Sequence, residues 1–194
     1  MNLLGTKEIE TDRLILKIPT MKEQKILWEI LMIPEVNRYY LDINKKFKDR
    51  LLNWEIQKKF YEEKVNHAKD KDKFEWSIFL KNNGECIGQI NSHISSKECD
   101  EENTMSLGWY FNPKYQKRGY ATEAALAMIN YMFNEVNLKK YKTSAAIPNI
   151  ASWKLMEKLG FIRDKNKTIF NEYTFVDEPV ESYIYELNKD EYSK

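Results

Sequence analysis

Cysteine is scarce in this sequence of 194 residues, which has only Cys86 and Cys99, and the two do not form a Cys-x-x-Cys pair. That scarcity excludes a disulfide scaffold and gives no sign of a zinc site, so we expect no metal. Long apolar runs are also missing. None approaches the roughly 20 residues of a membrane span, and residues 1–7 lack the apolar region of a secretory signal. We therefore expect a cytoplasmic protein without a membrane partner.

A charge excess of either sign is absent as well. The 31 Lys and Arg residues nearly balance the 30 Asp and Glu residues, which leaves a net charge of +1. This balance gives no electrostatic reason to expect nucleic acid as a partner. The overall composition is typical of a folded protein, because 42% of the residues are hydrophobic and 31% are charged. The length fits one domain with a substantial core.

Hydrophobic periodicity predicts a mixed α/β fold in one domain, with about seven strands and about four helices. The predicted strands cover 13–18, 74–80, 86–94, 105–111, 141–147, 168–176 and 181–187. The first predicted helix follows Thr20, and the second covers 49–66, where Leu52, Ile56 and Phe60 recur at helical spacing. The third begins at Thr122, and the fourth covers 150–159. Thr20 and Glu23 form a capping-box pattern, and Asn149 and Gly160 flank the last helix as its expected caps.

A loop that can hold phosphate lies between the strand ending at Phe111 and the next helix. Its sequence is Gln116-Lys117-Arg118-Gly119-Tyr120-Ala121-Thr122-Glu123. The start of a helix offers unpaired N–H groups and a positive dipole end, and a glycine allows close approach of a ligand. Neither the P-loop pattern nor Gly-x-Gly-x-x-Gly is present. A glycine in this position also occurs in many ordinary α/β turns, so the loop alone does not decide the function.

A second segment follows the next predicted strand. It contains Asn149-x-x-Ser152 and then Lys158-Leu159-Gly160-Phe161. Together with Gln-x-x-Gly-x-Ala at 116–121, it resembles the acetyl-CoA site of the GNAT superfamily of N-acetyltransferases. Glu10-Thr11-Asp12-Arg13-Leu14 is similar to the opening of the branch that acetylates the N-termini of ribosomal proteins. The resemblance covers 10–187.

The resemblance implies a GNAT-like fold, with a central mixed and mostly antiparallel sheet in which two parallel strands splay apart around the thioester. It implies acetyl-CoA as co-substrate, with the pyrophosphate on the loop and the pantetheine amides along a strand edge. The implied cofactor-binding residues are Trp109, Phe111, Gln116, Lys117, Arg118, Gly119, Tyr120, Ala121, Thr122, Asn149, Ser152 and Lys158.

The implied reaction is direct attack of an amine on the thioester, which needs a base, an oxyanion donor and a proton for the departing thiolate. A backbone N–H near Phe111 is the candidate oxyanion donor. Ser152 is the candidate for the hydrogen bond to the thiolate, because Met156 stands where many family members have a Tyr. The general base is open. The position of the Glu base in some relatives is occupied here by Ser106. The remaining candidates for the base are His93, Glu123 and water.

We expect a GNAT-like acetyltransferase domain over 10–187, with an acceptor-side helical insert at 33–73 that is rich in aromatic residues, among them Tyr39, Tyr40, Phe47 and Trp54. The expected function is acetyl transfer to a primary amine, either a protein N-terminus or a small molecule, by a monomer or homodimer. Two alternatives stay open at this point. One is a CoA-binding module without turnover, and the other is a phosphate-ligand domain of another kind, such as a nucleotide-binding one.

Overall fold

The computed structural model describes residues 1–40, 48–94 and 101–192. In chain order, its strands are β1 (Ile9–Glu10), β2 (Leu14–Lys17), β3 (Phe74–Leu80), β4 (Cys86–His93), β5 (Thr104–Phe111), β6 (Lys140–Ala146), β7 (Ile162–Asn171) and β8 (Val180–Asn188). Its helices are α1 (Met21–Leu31), α2 (Pro34–Asn37), α3 (Lys48–Leu51), α4 (Trp54–Asn66), α5 (Tyr120–Asn134), α6 (Ile150–Lys158) and α7 (Lys189–Tyr192), with a 3₁₀ turn at Pro113–Tyr115.

The strands form one mixed sheet in the order β1-β2-β3-β4-β5-β6-β8-β7. Every neighbouring pair is antiparallel except β5 and β6, which run parallel. The parallel pairing covers only Thr104↔Lys140 and Met105↔Tyr141. Since β5 continues to Phe111 and β6 to Ala146, the two strands then separate and leave a gap in the middle of the sheet. The expected mostly antiparallel sheet with two splayed parallel strands is confirmed.

The predicted number of elements was slightly low for the described residues. They contain eight strands because β1, with two residues, pairs with β2 through Ile9↔Leu16. They contain seven α-helices because α2, α3 and α7 have four residues each. Elements this short carry too few residues for a periodic pattern to be read from the sequence.

Two hydrophobic clusters cover opposite faces of the sheet. The larger one contains α5 residues such as Met128 and Ile129 together with Trp76 and Ile78 of β3. The smaller one contains Leu27 and neighbouring α1 residues packed against the other face of β3 and β5. Since successive strand residues point to opposite faces, α1 and α5 lie on opposite sides of the sheet and hold it at a fixed position between them.

The predicted capping box at α1 is present, because the Thr20 backbone N–H donates to Glu23 Oε2 at 3.0 Å. The cap predicted at Asn149 is different. Its side chain makes no capping hydrogen bond, and the backbone carbonyl of Asn149 instead accepts from the N–H of Ser152 at 3.1 Å. The side chain of Asn149 is therefore not used by α6.

Two predictions need correction at other elements. The strand predicted at 168–176 lies at Ile162–Asn171, because the four residues 164–167 are looped out between Arg163↔Tyr185 and Thr168↔Tyr183 and break the alternation. The apolar positions that gave 49–66 its helical period are not core positions. Leu52, Ile56 and Phe60 are 48%, 50% and 58% exposed, so this face of the segment points away from the core.

Candidate active site

The gap between β5 and β6 exposes one backbone edge of β5. The Thr143 hydroxyl, on β6, donates to the carbonyl of Leu107 at 3.4 Å, so the backbone groups of Leu107 face β6. Alternate residues of a strand direct their N–H and C=O groups to the same side. Trp109 and Phe111 therefore present their backbone groups to the gap, where β6 has moved away. An extended chain with amides can pair with this edge as an added strand would.

The loop after β5 turns its backbone toward the same gap. Asn112 Oδ1 accepts from the N–H of Lys114 at 3.0 Å and starts the 3₁₀ turn. Lys117 and Gly119 then adopt left-handed conformations, with φ of 59° and 83°. Consecutive turns of this kind form concave nests of N–H groups that bind anions.

Gly119 is the N-cap of α5, and its φ of 83° suits glycine. A Cβ atom added to it would lie 3.2 Å from Arg13 Nη2, so the loop and the start of β2 are closely packed. Within the described part of the chain, the backbone N–H groups of Tyr120, Ala121 and Thr122 have no hydrogen-bond acceptor. This is the donor set that a phosphate needs at the start of a helix.

Arg13 and Glu123 fasten the loop to the N-terminal segment. Glu123 Oε1 accepts from the Thr11 hydroxyl at 2.6 Å and from the Arg13 N–H at 2.8 Å. Arg13 Nε donates to Glu123 Oε2 at 2.6 Å, and Arg13 Nη1 donates to the carbonyl of Arg118 at 3.0 Å. The guanidinium also lies 4.6 Å from the centre of the Tyr120 ring.

These contacts give Glu123 a positioning role in place of the role considered for it as a general base. Burial alone would raise the pKa of its carboxyl group. Hydrogen bonds from Thr11 and Arg13, together with the charge of Arg13, outweigh burial and hold the pKa below its ordinary value. A carboxylate engaged in this way is a poor proton acceptor near neutral pH.

One cavity of about 1550 Å³ unites the strand gap, the loop and α6. Single ligand pockets commonly have about 300–1,000 Å³, so this volume is in the range needed for two substrates. Of the residues that the sequence singled out for acetyl-CoA, the cavity is lined by Trp109, Phe111, Gln116, Lys117, Gly119, Tyr120, Ala121, Thr122, Asn149, Ser152 and Lys158. Arg118 is the exception, since its side chain lies beside the Tyr115 ring and its carbonyl is bound by Arg13.

Ser152 lies in the first turn of α6 and faces the cavity. Its side chain is partly buried, and Ser152 Oγ makes no hydrogen bond with any described residue. Met156, one turn later, is buried and lines the same cavity. The geometry thus leaves the Ser152 hydroxyl available to a ligand in the gap and places a thioether beside it.

The other half of the cavity has aromatic walls from distant parts of the chain. Tyr39, after α2, meets Tyr173 of the β7–β8 connection edge to face, with ring centres 5.7 Å apart. Tyr40 packs against Tyr110 in the same way at 4.9 Å. Tyr39 and Tyr40 belong to the predicted aromatic insert, and both line the cavity. Trp54 does not, because it stacks on Tyr61 next to Trp28, and Phe47 lies outside the described residues.

Asn91 connects two titratable groups on this side. Its side-chain amide donates to Tyr40 Oη at 3.2 Å, and its Oδ1 lies 3.0 Å from His93 Nδ1. If Asn91 Oδ1 accepts, the proton sits on His93 Nδ1 and Nε2 keeps its lone pair. His93 is accessible from the cavity, but the surrounding protein removes part of its hydration and lowers the pKa, so the neutral imidazole predominates at neutral pH. His93 lines the cavity and remains a candidate base.

Sequence reasoning missed Asn91 and Tyr173 because neither belongs to a recognisable pattern. It also missed Glu75, which lines the cavity and pairs with Lys64 at 2.8 Å. The register Glu75↔Asn91 places these two residues side by side on β3 and β4. Polar residues at adjacent positions of a predicted hairpin would have been the one available signal.

Cys86 takes no part in this site. It is 6% exposed, and burial raises the pKa of its thiol to about 12. A thiol with so little thiolate at neutral pH is a poor nucleophile. Cys99 lies outside the described residues.

Comparisons of the sequence and of the structure with known proteins point to the same family. The family model of the acetyltransferase (GNAT) domain matches residues 13–162. YnaD of Bacillus subtilis, an uncharacterized N-acetyltransferase, is 30% identical over 156 residues, which are 80% of this chain and 83% of YnaD. A solved GNAT-family acetyltransferase from Bacillus anthracis has a TM-score of 0.74 at 25% identity, with 95% of this chain and 100% of that chain covered.

A further solved structure, the ribosomal-protein-S5-alanine acetyltransferase from Vibrio fischeri, has a TM-score of 0.76 at 15% identity, with 96% of this chain and 98% of that chain covered. This likeness concerns the fold alone. No helix among the described residues is long and apolar enough to span a membrane. The matched family model covers more than half of the sequence, and it includes both the splayed strands and the loop at the start of α5. The chain belongs to the GNAT family and is an acetyltransferase.

Proposed function

We propose that this protein transfers the acetyl group of acetyl-CoA to a primary amine by direct attack within a ternary complex. The observation that carries the proposal is one continuous cavity in which the open edge of β5 meets the unpaired N–H groups at the start of α5. The first feature suits the pantetheine amides and the second suits the pyrophosphate.

Each part of the site then has a role. Tyr120, Ala121 and Thr122 donate backbone N–H groups to the pyrophosphate, and the Lys117 and Lys158 ammonium groups add positive charge at the cavity wall. The backbone of Trp109 and Phe111 aligns the pantetheine arm. With acetyl-CoA bound in this way, the thioester would lie in the gap between β5 and β6, close to the first turn of α6.

The chemistry follows from that placement. The neutral amine attacks the thioester carbonyl, the N–C bond forms, and the C–S bond breaks. A backbone N–H near Phe111 stabilises the oxyanion, and the Ser152 hydroxyl donates a hydrogen bond to the departing thiolate sulfur. The proton lost by the amine passes to His93 or to water.

We place the acetyltransferase domain at 10–187 and assign the acceptor-side wall to the segment 33–73. We call the part of the cavity with aromatic walls the acceptor half, and its two walls meet at Tyr39 and Tyr173. The acceptor is the α-amino group of a protein N-terminus or a small amine. The solved ribosomal-protein-S5-alanine acetyltransferase shares this fold, which makes the protein N-terminus a natural first test.

The experiment combines acetyl-CoA binding and turnover. Calorimetric titration measures acetyl-CoA affinity, and release of free CoA thiol measures transfer to a panel of amines and N-terminal peptides. Binding with amine-dependent thiol release supports the proposal. Tight binding without thiol release above hydrolysis, for any amine, would instead identify a CoA-binding module without turnover. Absence of acetyl-CoA binding would contradict both functions.

A further inference from the structure

A second, smaller cavity of about 180 Å³ adjoins the acceptor half of the active-site cavity. The two cavities share wall residues Tyr40, Phe60, Lys64, Asn91 and Tyr110. The smaller cavity extends from this shared wall toward the space between α1, α4 and the sheet. For a molecule whose amine lies at the β5–β6 gap, the way into this side pocket leads past the shared wall at Tyr40.

The side pocket is mainly apolar, and its described lining contains no Asp or Glu. Trp28 and Leu31 of α1, together with Met32 directly after it, supply apolar wall, and Leu51 of α3 supplies more. The one charged lining residue among those described is Lys64, which is paired with Glu75 at 2.8 Å. A cationic tail would lose its hydration here and find no unpaired carboxylate on the described lining, since the neighbouring Glu75 is already paired with Lys64, so the pocket disfavours cationic occupants.

One polar group in the side pocket lacks a partner. Gln89 is 3% exposed, and its Oε1 accepts from the Tyr110 hydroxyl at 2.5 Å. Its Nε2 is buried and has no hydrogen-bond partner in the described structure. Leaving a buried amide donor unpaired is unfavourable. A ligand that brings a hydrogen-bond acceptor to Gln89 Nε2 removes this penalty.

The volume limits the size of the occupant. A water molecule takes about 30 Å³ of liquid, so a pocket of this size holds about six groups of that size. This is the scale of one amino-acid side chain or of a short tail on a small amine.

We infer that the side pocket around Gln89 selects the acceptor by binding a neutral, mainly apolar side chain that carries one hydrogen-bond acceptor. The inference rests on the proposed acetyl transfer. It assigns a specificity role to Gln89 and to the apolar residues of α1, and it argues against acceptors with cationic tails, such as polyamines.

The test uses three amino-acid amides that share the reacting α-amine. O-methylhomoserine amide and norleucine amide differ by one ether oxygen in place of a methylene, and lysine amide adds a terminal charge. We expect kcat/KM to be about 3- to 10-fold higher for the ether than for norleucine amide, the range of one net hydrogen bond. Lysine amide should be the poorest substrate.

Gln89→Met removes the amide at nearly constant size, and Gln24→Met is the matched control. Gln24 is also a buried glutamine with an unpartnered amide, but it lines neither cavity. Gln89→Met should abolish the preference for the ether and Gln24→Met should keep it. An unchanged preference in Gln89→Met, or equal rates for lysine and norleucine amides in the wild-type protein, would overturn the inference while acetyl transfer stands.

A binding measurement separates this inference from the proposed reaction. Fluorine NMR of 5-fluorotryptophan protein with CoA bound, with the Trp28 signal assigned by Trp28→Phe, reports occupancy of the side pocket without turnover. A Trp28 shift on adding norleucine amide, with no thiol release for any amine of the panel, would refute acetyl transfer and support the pocket. Thiol release with no Trp28 shift would support acetyl transfer and refute the pocket. No Trp28 shift, together with no thiol release for any amine of the panel, would contradict both proposals.

Discussion

The Ser106 hydroxyl donates to Thr143 Oγ1 at 3.0 Å, across the gap between β5 and β6. Both side chains are 3% exposed. Ser106 follows directly on Met105↔Tyr141, the last parallel backbone pair. The hydroxyl pair therefore bridges the two strands at the point where they separate. The resemblance to the family matches Ser106 to the Glu base of some members, and in this protein the Ser106 hydroxyl bonds to Thr143 instead.

We expect the Ser106–Thr143 bond to stabilise the start of the gap by about 1 kcal/mol, the net worth of a neutral buried hydrogen bond. Urea unfolding of Ser106→Ala, Thr143→Val and the double variant measures it as a coupling energy. Acetyl-CoA affinity should fall in the single variants, since the point at which β5 and β6 separate is no longer held by this hydrogen bond. Additive changes in the free energy of unfolding would show that the two hydroxyl groups do not interact.

Gly119 provides a prediction about the cofactor loop. Gly119→Ala and Gly84→Ala both place a Cβ at positive φ, 83° and 70°, and should each cost about 1 kcal/mol of stability. They differ in surroundings, because the added Cβ lies 3.2 Å from Arg13 Nη2 at Gly119 and has nothing within 4 Å at Gly84. Calorimetry should therefore show weaker acetyl-CoA binding only for Gly119→Ala. Equal affinities in the two variants would disprove a role of the loop in binding.

The clamp between Arg13 and Glu123 predicts a pH-dependent stability. The folded-state pKa of Glu123 lies below its ordinary value of 4.5. The ionised carboxylate therefore stabilises the fold fully above pH 4.5, and this stabilisation is lost as the pH falls through the lowered pKa. Glu123→Gln should thus cost about 1–2 kcal/mol near pH 7, given the half-exposed Arg13. Chemical unfolding at a series of pH values should show this cost shrinking below pH 4.5. A cost independent of pH would indicate that the charge of Glu123 contributes nothing.

More of the residues singled out from the sequence line the loop side of the cavity than its aromatic side, and the reason is locality. Gly119 and the start of α5 are contiguous in sequence, as are Ser152 and α6, so each group can be recognised as a motif in one short stretch of sequence. The role of Glu123 was ambiguous because its partner Arg13 lies 110 residues away. Asn91 and Tyr173 were missed because only strand pairing and the β7–β8 connection bring them to the cavity.

Ser152 yields a prediction that separates binding from chemistry. If its hydroxyl stabilises the thiolate only as the C–S bond breaks, Ser152→Ala should lower kcat about 10-fold or more and change acetyl-CoA affinity little. Ser152→Thr keeps a hydroxyl and should recover most of kcat. Steady-state kinetics and calorimetry measure the two quantities. Equal losses in affinity and rate would instead mean that Ser152 binds the ground state.

The two histidines of the chain provide a matched test of the general base. Both histidines line the cavity, but they have different partners, because His93 Nδ1 lies next to Asn91 whereas His67 Nδ1 pairs with Asp70 at 2.9 Å. With His93 as base, kcat/KM should rise with pH through a midpoint below 6.5, the ordinary pKa, because burial lowers it. A separate limb from the amine substrate, near pH 8 for an α-amino group, should appear in every variant.

His93→Gln should remove the lower limb and reduce the plateau by about 10²-fold or more, the usual contribution of a general base. His67→Gln should leave both limbs in place. A lower limb that survives in His93→Gln, with a plateau within about 3-fold of wild type, would assign the proton to water. The tautomer gives a further check, because Asn91→Asp places a carboxylate beside Nδ1. That charge favours the imidazolium, raises the pKa of His93 and should move the lower limb to higher pH.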